Sequence, residues 1–197
     1  MRILAIAAAA LALTAGAAFA QPWADPQGRL TFNAPNGWPI DVQAASTAEL
    51  LHVITGTADD ECQFVVFTRA QTATATANAV RIGMQNPIGE PAWLGITQTM
   101  TRMFRSPATV QNPRVDTTSG FWPIQRAELV SGDRTVHGAM QARPGLEIWT
   151  LCLTYTDTDR AAQFTQVINS VGAGRDAEWR AEIEAAQAPA APAEAPN

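Results

Sequence analysis

The sequence has 197 residues, 13 basic and 18 acidic side chains, a formal net charge of −5 and two cysteines. Such length suits one domain with a sizeable core. Scattered arginines in a mildly acidic chain argue against a nucleic-acid binder, which needs a concentrated basic face.

At the N-terminus, Arg2 precedes an apolar run from Ile3 to Leu13, and Ala18-Phe19-Ala20 has the small-x-small pattern of a cleavage site. Residues 1–20 are therefore expected to be a removed signal peptide rather than a membrane anchor, because the run is short and alanine-rich. Cleavage near Ala20-Gln21 predicts a periplasmic or secreted protein. It leaves 177 residues (197 − 20) and 12 basic against 18 acidic side chains, or −6. In that oxidising setting Cys62 and Cys152 are expected to form a disulfide; two buried thiols are the alternative.

Residues 21–27 read as a polar leader with two prolines. Leu30, Phe32 and Ala34 then alternate with Arg29, Thr31 and Asn33 in a strand. Pro35-Asn36-Gly37 is a turn signal, and Trp38 to Val42 returns as a second strand, so a hairpin is the economical reading. Pro39 places that strand at an edge or beside a bulge. Leu50 to Thr55 is a short apolar strand carrying His52. Asp59-Asp60-Glu61 leads into Cys62 to Thr68, where Phe64 and Val66 face one way and Val65 and Phe67 the other. A strand apolar on both sides lies centrally, covered on both faces.

Ala75 to about Met84 is expected to be helical, ending before Asn86-Pro87-Ile88-Gly89. Pro91 suits the first turn of a second helix, whose stripe is Trp93, Ile96, Met100, Met103 and Phe104. That stripe is either the face packed on a sheet or one wall of a ligand or partner groove. Val110 to Val115 and Gly120 to Val130 follow as strands, each interrupted by a proline. Asp133 to Met140, a turn at Arg143-Pro144-Gly145, and Leu146 to Tyr155 form a hairpin. Its second strand is again two-sided, with Leu146, Ile148 and Cys152 opposite Trp149, Leu151, Leu153 and Tyr155.

The final long helix buries Ala161, Phe164, Val167, Ile168 and Val171, with Asp157 or Thr158 expected to cap it. Residues 176–187 read as a short helix burying Trp179 and Ile183, and the Ala/Pro tail is expected to be disordered or extended. One α+β domain over residues 28–174 results, with residues 175–197 outside it.

Gly28-Arg29-Leu30-Thr31-Phe32-Asn33-Ala34-Pro35-Asn36-Gly37-Trp38 resembles the strand, Pro-x-Gly-Trp turn and strand of the Mog1/PsbP-like family. Leu151 to Tyr155, with the helix ending Ile168-Asn169-Ser170-Val171, is similar to that family's closing strand and helix. The resemblance spans roughly residues 28–172 and rests on fold markers, not catalytic ones. It implies an antiparallel β-sheet of about six to seven strands packed by helices on its faces. Members include photosystem assembly subunits, periplasmic proteins of unknown role and chaperones for secreted effectors, so a non-enzymatic binding or accessory domain is implied. The cysteine pair lies outside the family pattern.

The sequence contains no nucleophile elbow, no His-Glu-x-x-His and no phosphate-binding glycine loop, so no catalytic residue is assigned. His52 and His137 with Asp59, Asp60 or Glu61 could hold a metal, but isolated positions on sheet faces are the simpler reading. Trp38 and Trp122 each adjoin a proline near a strand end, where a ring can stay partly exposed; with Arg126 they are candidate anchors for a partner. Alternatively they close the end of the core. The expectation is an exported binding or accessory protein acting on an envelope protein or small ligand, without cofactor or metal. An envelope hydrolase or metal-binding protein is one alternative. A small-ligand carrier, using a cleft between the sheet and the Trp93 helix, is the other.

Overall fold

A computed structural model describes residues 20–188. The predicted signal segment up to Phe19 and the tail from Pro189 lie outside the described residues.

The centre of the fold is a pair of strands, β5 (Asp60–Thr68) and β9 (Leu146–Thr154). Both are the two-sided apolar strands of the sequence, and they pair antiparallel with Cys62 directly opposite Cys152. The two cysteines are bonded, with Cα atoms 4.1 Å apart, and neither is exposed to solvent. Around this pair the sheet grows to seven antiparallel strands in the order β3-β4-β5-β9-β8-β7-β6. The outer strands are β3 (Ile40–Val42), β4 (Leu50–Gly56), β6 (Thr109–Asp116), β7 (Ile124–Ser131) and β8 (Arg134–Arg143). This is the α+β antiparallel architecture expected from the sequence.

Both edges are poor templates for further pairing. β3 has three residues. β6 carries Pro113, a register shift between Gln111 and Arg114, and Asn112 in the left-handed region at φ 51°. Short strands, bulges and prolines blunt an edge in this way.

Helix α3 (Ala161–Asn169) lies over one face with Phe164, Val167 and Ile168 buried. Its first-turn donor, Ala161 N–H, is accepted by the Asp159 carboxylate at 2.9 Å, so neither Asp157 nor Thr158 supplies the cap. Beneath it lie Phe32, Val53, Phe64, Ile148 and the disulfide. The opposite face packs Val65, Leu129, Val136, Trp149, Leu151 and Leu153 beneath α2 (Glu90–Thr99), which has Pro91 in its first turn as expected. The helix stops at Thr99 rather than continuing to Phe104; a 3₁₀ turn at Thr101–Met103 carries Met103 into the core.

Two regions differ from expectation. The leader is a strand, β1 (Gln21–Ala24), paired with β2 (Thr31–Ala34) as a separate two-stranded ribbon. β2 does not form a hairpin with β3, although the turn at Gly37 exists. Its other edge is already occupied: Thr31 exchanges both backbone bonds with Gly172, and Asn33 N–H donates to Ser170 Oγ. Trp38 and Pro39 therefore carry the chain away to the edge of the large sheet. The ribbon is also tied down where Gly174 N–H donates to Gly28 O at 2.8 Å, an approach close enough that a Cβ on Gly174 would sit 3.0 Å from Gly28 Cα.

The second difference is at the C-terminus. Helix α4 (Asp176–Gln187) belongs to the domain: Trp179 and Ile183 pack with Trp122, Ala173 and Ala77 of α1 (Ala77–Gly83) in a third apolar cluster. Thr76 caps α1 by accepting from Ala79 N–H. The domain therefore runs beyond both predicted boundaries, from β1 to α4.

Gly138 on β8 sets how closely α2 approaches the sheet. A Cβ there would lie 3.0 Å from the Trp93 ring and 3.3 Å from both Ala127 O and Leu151 Cδ2. Gly138→Val should destabilise by about 1–3 kcal/mol through overpacking. Chemical denaturation reads the cost, and an unchanged midpoint would show that α2 is not seated by this contact.

Candidate functional site

The sequence candidates Trp38, Trp122 and Arg126 are buried, at 5%, 5% and 7% exposure, and belong to different parts of the interior. Trp38 sits in the core under α3, while Trp122 joins the α1–α4 cluster. Arg126 lies on β7, where Nε donates to Asp116 and Nη2 to Asn169 at the end of α3. Burial alone would raise the Asp116 pKa. Hydrogen bonds from Ser119 and Thr118 outweigh it and hold the carboxyl well below the usual range. Prolines next to Trp38 and Trp122 signalled strand ends correctly, but those ends are roofed by neighbouring segments. These three residues form no joint exposed surface.

Metal ligation finds no constellation either. Register places His52 of β4 opposite Val65, on the α2 face, and His137 of β8 opposite Cys152, on the α3 face. The sheet lies between them. Asp60 pairs with Arg160 at 3.1 Å, and Glu61 points to the other face. Among the described residues no group of three or more His, Cys, Asp and Glu is arranged for a metal ion.

His137 has a structural consequence instead. Half-buried beside the Phe164 ring, it is pushed below its ordinary pKa by desolvation and by Arg114, against the pull of Glu128 and Asp159. The unfolded chain therefore takes up a proton that the native state resists, so the contribution of His137 to stability is fully present above about pH 6.5 and is lost as pH falls below it. His137→Leu should flatten the stability–pH curve below about pH 6.5. An equally steep curve would assign the acid sensitivity to other groups.

The concave feature on the α2 face is different in kind. α2 packs through Trp93, which is 1% exposed and meets Trp149 edge-on at 5.2 Å. Trp93 thus anchors the helix and does not line the cleft. The helix leaves a half-buried row on β4 (Leu50, His52, Ile54) and Phe67 on β5. Between helix and sheet runs a groove of about 240 Å³ lined by Phe67, Arg69, Gly95, Ile96, Thr99 and Trp149, with Ala92 and Glu147 completing it.

The floor is apolar and the rim is fixed by charge. Trp149 Nε1 donates to Glu147 Oε1 at 2.6 Å, and Arg69 Nε donates to Glu147 Oε2 at 2.9 Å. The Arg69 guanidinium lies 4.5 Å from the Phe67 ring centre, and Arg69 N–H is held by Gly145 O at 2.8 Å. Backbone, ion pair and ring together set this side chain in one orientation.

At the far end of the same face a polar chain crosses the strands. Arg102 Nη2 donates to Glu61 Oε2 at 2.6 Å, Gln63 Nε2 donates to Glu61 Oε1 at 2.5 Å, and Gln63 Oε1 meets His52 Nε2 at 3.0 Å. Since the Gln63 amide donates to Glu61, its oxygen faces the imidazole and Nε2 carries the hydrogen. Burial, and then the nearby Glu61 charge, raise the Tyr155 phenol pKa.

Sequence reading located the helix and named this cleft through Trp93, but missed Arg69, Gly95 and Glu147. The available signal was Glu147 on the apolar side of a two-sided strand, next but one to Trp149, together with a glycine inside a helical stripe.

No family model matches the sequence, and neither does any curated protein. Among solved structures, the chain is similar to the solution structure of cyanobacterial PsbP (CyanoP) from Synechocystis sp. PCC 6803. The TM-score is 0.53 at 18% identity, over 81% of this chain and 95% of that one. The fold is PsbP-like.

Proposed function

We propose that this is an exported, non-catalytic binding protein that holds a small ligand in the groove beside α2. One observation carries the reading: an apolar floor of Phe67, Ile96 and Trp149 lies beneath a single immobilised guanidinium. Ligand sites combine apolar walls with a few fixed polar groups in this way. At about 240 Å³ the groove lies below the range of roughly 300–1,000 Å³ typical of drug-sized ligands, so its ligand is small. Export is supported by the signal-like N-terminus and by the buried disulfide, which fits an oxidising compartment. Among the described residues no helix is long and apolar enough to cross a membrane.

The test is a thermal-shift panel of small anions, cations and neutral amphiphiles against the chain from Gln21 onward. A ligand of the native state raises the melting temperature by mass action. At least one class should do so in wild type and fail in Gly95→Leu, which adds a bulky side chain to a residue lining the groove. Shifts equal in both proteins, or none in either, would remove the groove as the binding site.

A further inference from the structure

The groove's ligand class can be narrowed, an inference that rests on the binding reading above. We infer that it takes a small amphipathic carboxylate, with its apolar body over Trp149 and its anionic head on Arg69. Three features carry this.

First, the charges at the rim are not equivalent. Glu147 already accepts at both oxygens, from Trp149 Nε1 and from Arg69 Nε. Arg69 uses only Nε; among the described residues no protein acceptor takes either Nη group, and 44% of its side chain remains exposed. The unpaired cationic donors at the rim are the Arg69 Nη groups, while each Glu147 oxygen already accepts one bond, which favours an anion over an ammonium ion.

Second, those donors are preorganised. The Phe67 ring backs the guanidinium, and the Gly145 turn holds its backbone. The Nη groups, left without a protein acceptor among the described residues on a side chain that is 44% exposed, offer the planar donor set that matches the two oxygens of a carboxylate.

Third, the opposite wall is a helical glycine with no packing role. Gly95 is inside α2, has an ordinary helical backbone, and a Cβ there would meet nothing within 4 Å. No tertiary contact demands glycine at a position where alanine favours the helix by about 1 kcal/mol. Its absent side chain keeps that wall open.

The experiment compares octanoate, octylamine and octanol by calorimetry against wild type, Arg69→Gln and Gly95→Leu, with Gly95→Ala as the stability control. Octanoate should bind wild type at least tenfold more tightly than octylamine. Arg69→Gln should lose about tenfold for octanoate while octanol binding stays unchanged. Gly95→Leu should lose binding of all three. Gly95→Ala should raise the melting temperature by about 2–4 °C, given the helix gain and the size of the domain. Gly95→Leu remaining folded makes its loss of binding a consequence of occlusion; should it unfold, Gly95→Val supplies the same readout. Octanol or octylamine binding as well as octanoate, with Arg69→Gln neutral, would overturn the carboxylate assignment and leave the groove standing. Binding of none of the three in wild type would overturn both.

Discussion

Replacing Cys62 and Cys152 together by alanine should cost about 4–5 kcal/mol, the chain-entropy value for so long a loop. The bond closes a sequence separation of 90 residues and ties the two central strands where their side chains are directly opposite. In a domain of this size that loss lowers the melting temperature by roughly 8–20 °C. Both cysteines are at 0% exposure beneath α3, so mild reductant should act on the native protein only through opening of the fold. The double variant avoids the stray thiol that a single substitution would leave. A fall of less than about 1 kcal/mol in chemical denaturation would mean that the paired strands hold themselves without the bond.

Asp176→Ala should be the most damaging substitution among the charged residues. Arg143 is 1% exposed; its Nε donates to Asp176 Oδ1 at 2.6 Å and its Nη2 to both Asp176 Oδ2 and Gln141 Oε1 at 3.1 Å. Its guanidinium also lies 4.4 Å from the Trp122 ring centre. Burial pushes the Arg143 pKa down and Asp176 opposes that shift. Removing the carboxylate strands a buried cation, at a cost of about 3–5 kcal/mol, while removing both charge and partner costs far less. Asp176 is itself 28% exposed, which places the expected value near 3. Arg143→Met keeps the bulk and removes the charge, so it should be milder than Asp176→Ala. Denaturation gives the order, and limited proteolysis shows whether α4 is released first. The reverse order would show that bulk, not charge pairing, seats α4.

This ion pair explains why the sequence alone does not reveal that the C-terminal helix belongs to the domain. Only Trp179 and Ile183 offered an apolar face, and an arginine next to a turn looks solvent-bound until a partner 33 residues away closes over it. The two-sided strands were legible because each carries apolar residues at consecutive positions, which only a sheet covered on both faces can bury. The disulfide followed from compartment and count, but its register did not, since strand order is decided by tertiary packing. The β2–β3 hairpin failed for the same reason: Gly37 makes its turn, yet the ladder edge of β2 is filled by Gly172 and Ser170, over a hundred residues later.

The site was legible only in outline. Hydrophobic periodicity marked α2 as a packed helix and left room for a cleft beside it, and Trp93 was a reasonable marker of the place although it is the anchor and not the wall. Tryptophan next to proline suggested exposure at 38 and 122, where neighbouring segments instead complete the core. Arg69 carries no local signature. Its role comes from the Gly145 turn, the Phe67 ring and Glu147, which pairing of β5 with β9 brings together.

The decisive measurement is a nitrogen-15 spectrum of the tryptophan indoles during titration with octanoate. Trp149 Nε1–H is bonded to Glu147 at the groove floor, whereas Trp38, Trp122 and Trp179 lie in other clusters. Ligand in the groove should shift the Trp149 resonance saturably, with little movement of those three, and Gly95→Leu should abolish the shift. A Trp149 resonance that stays fixed while octanoate binds, or one that moves equally in Gly95→Leu, would place the binding site elsewhere.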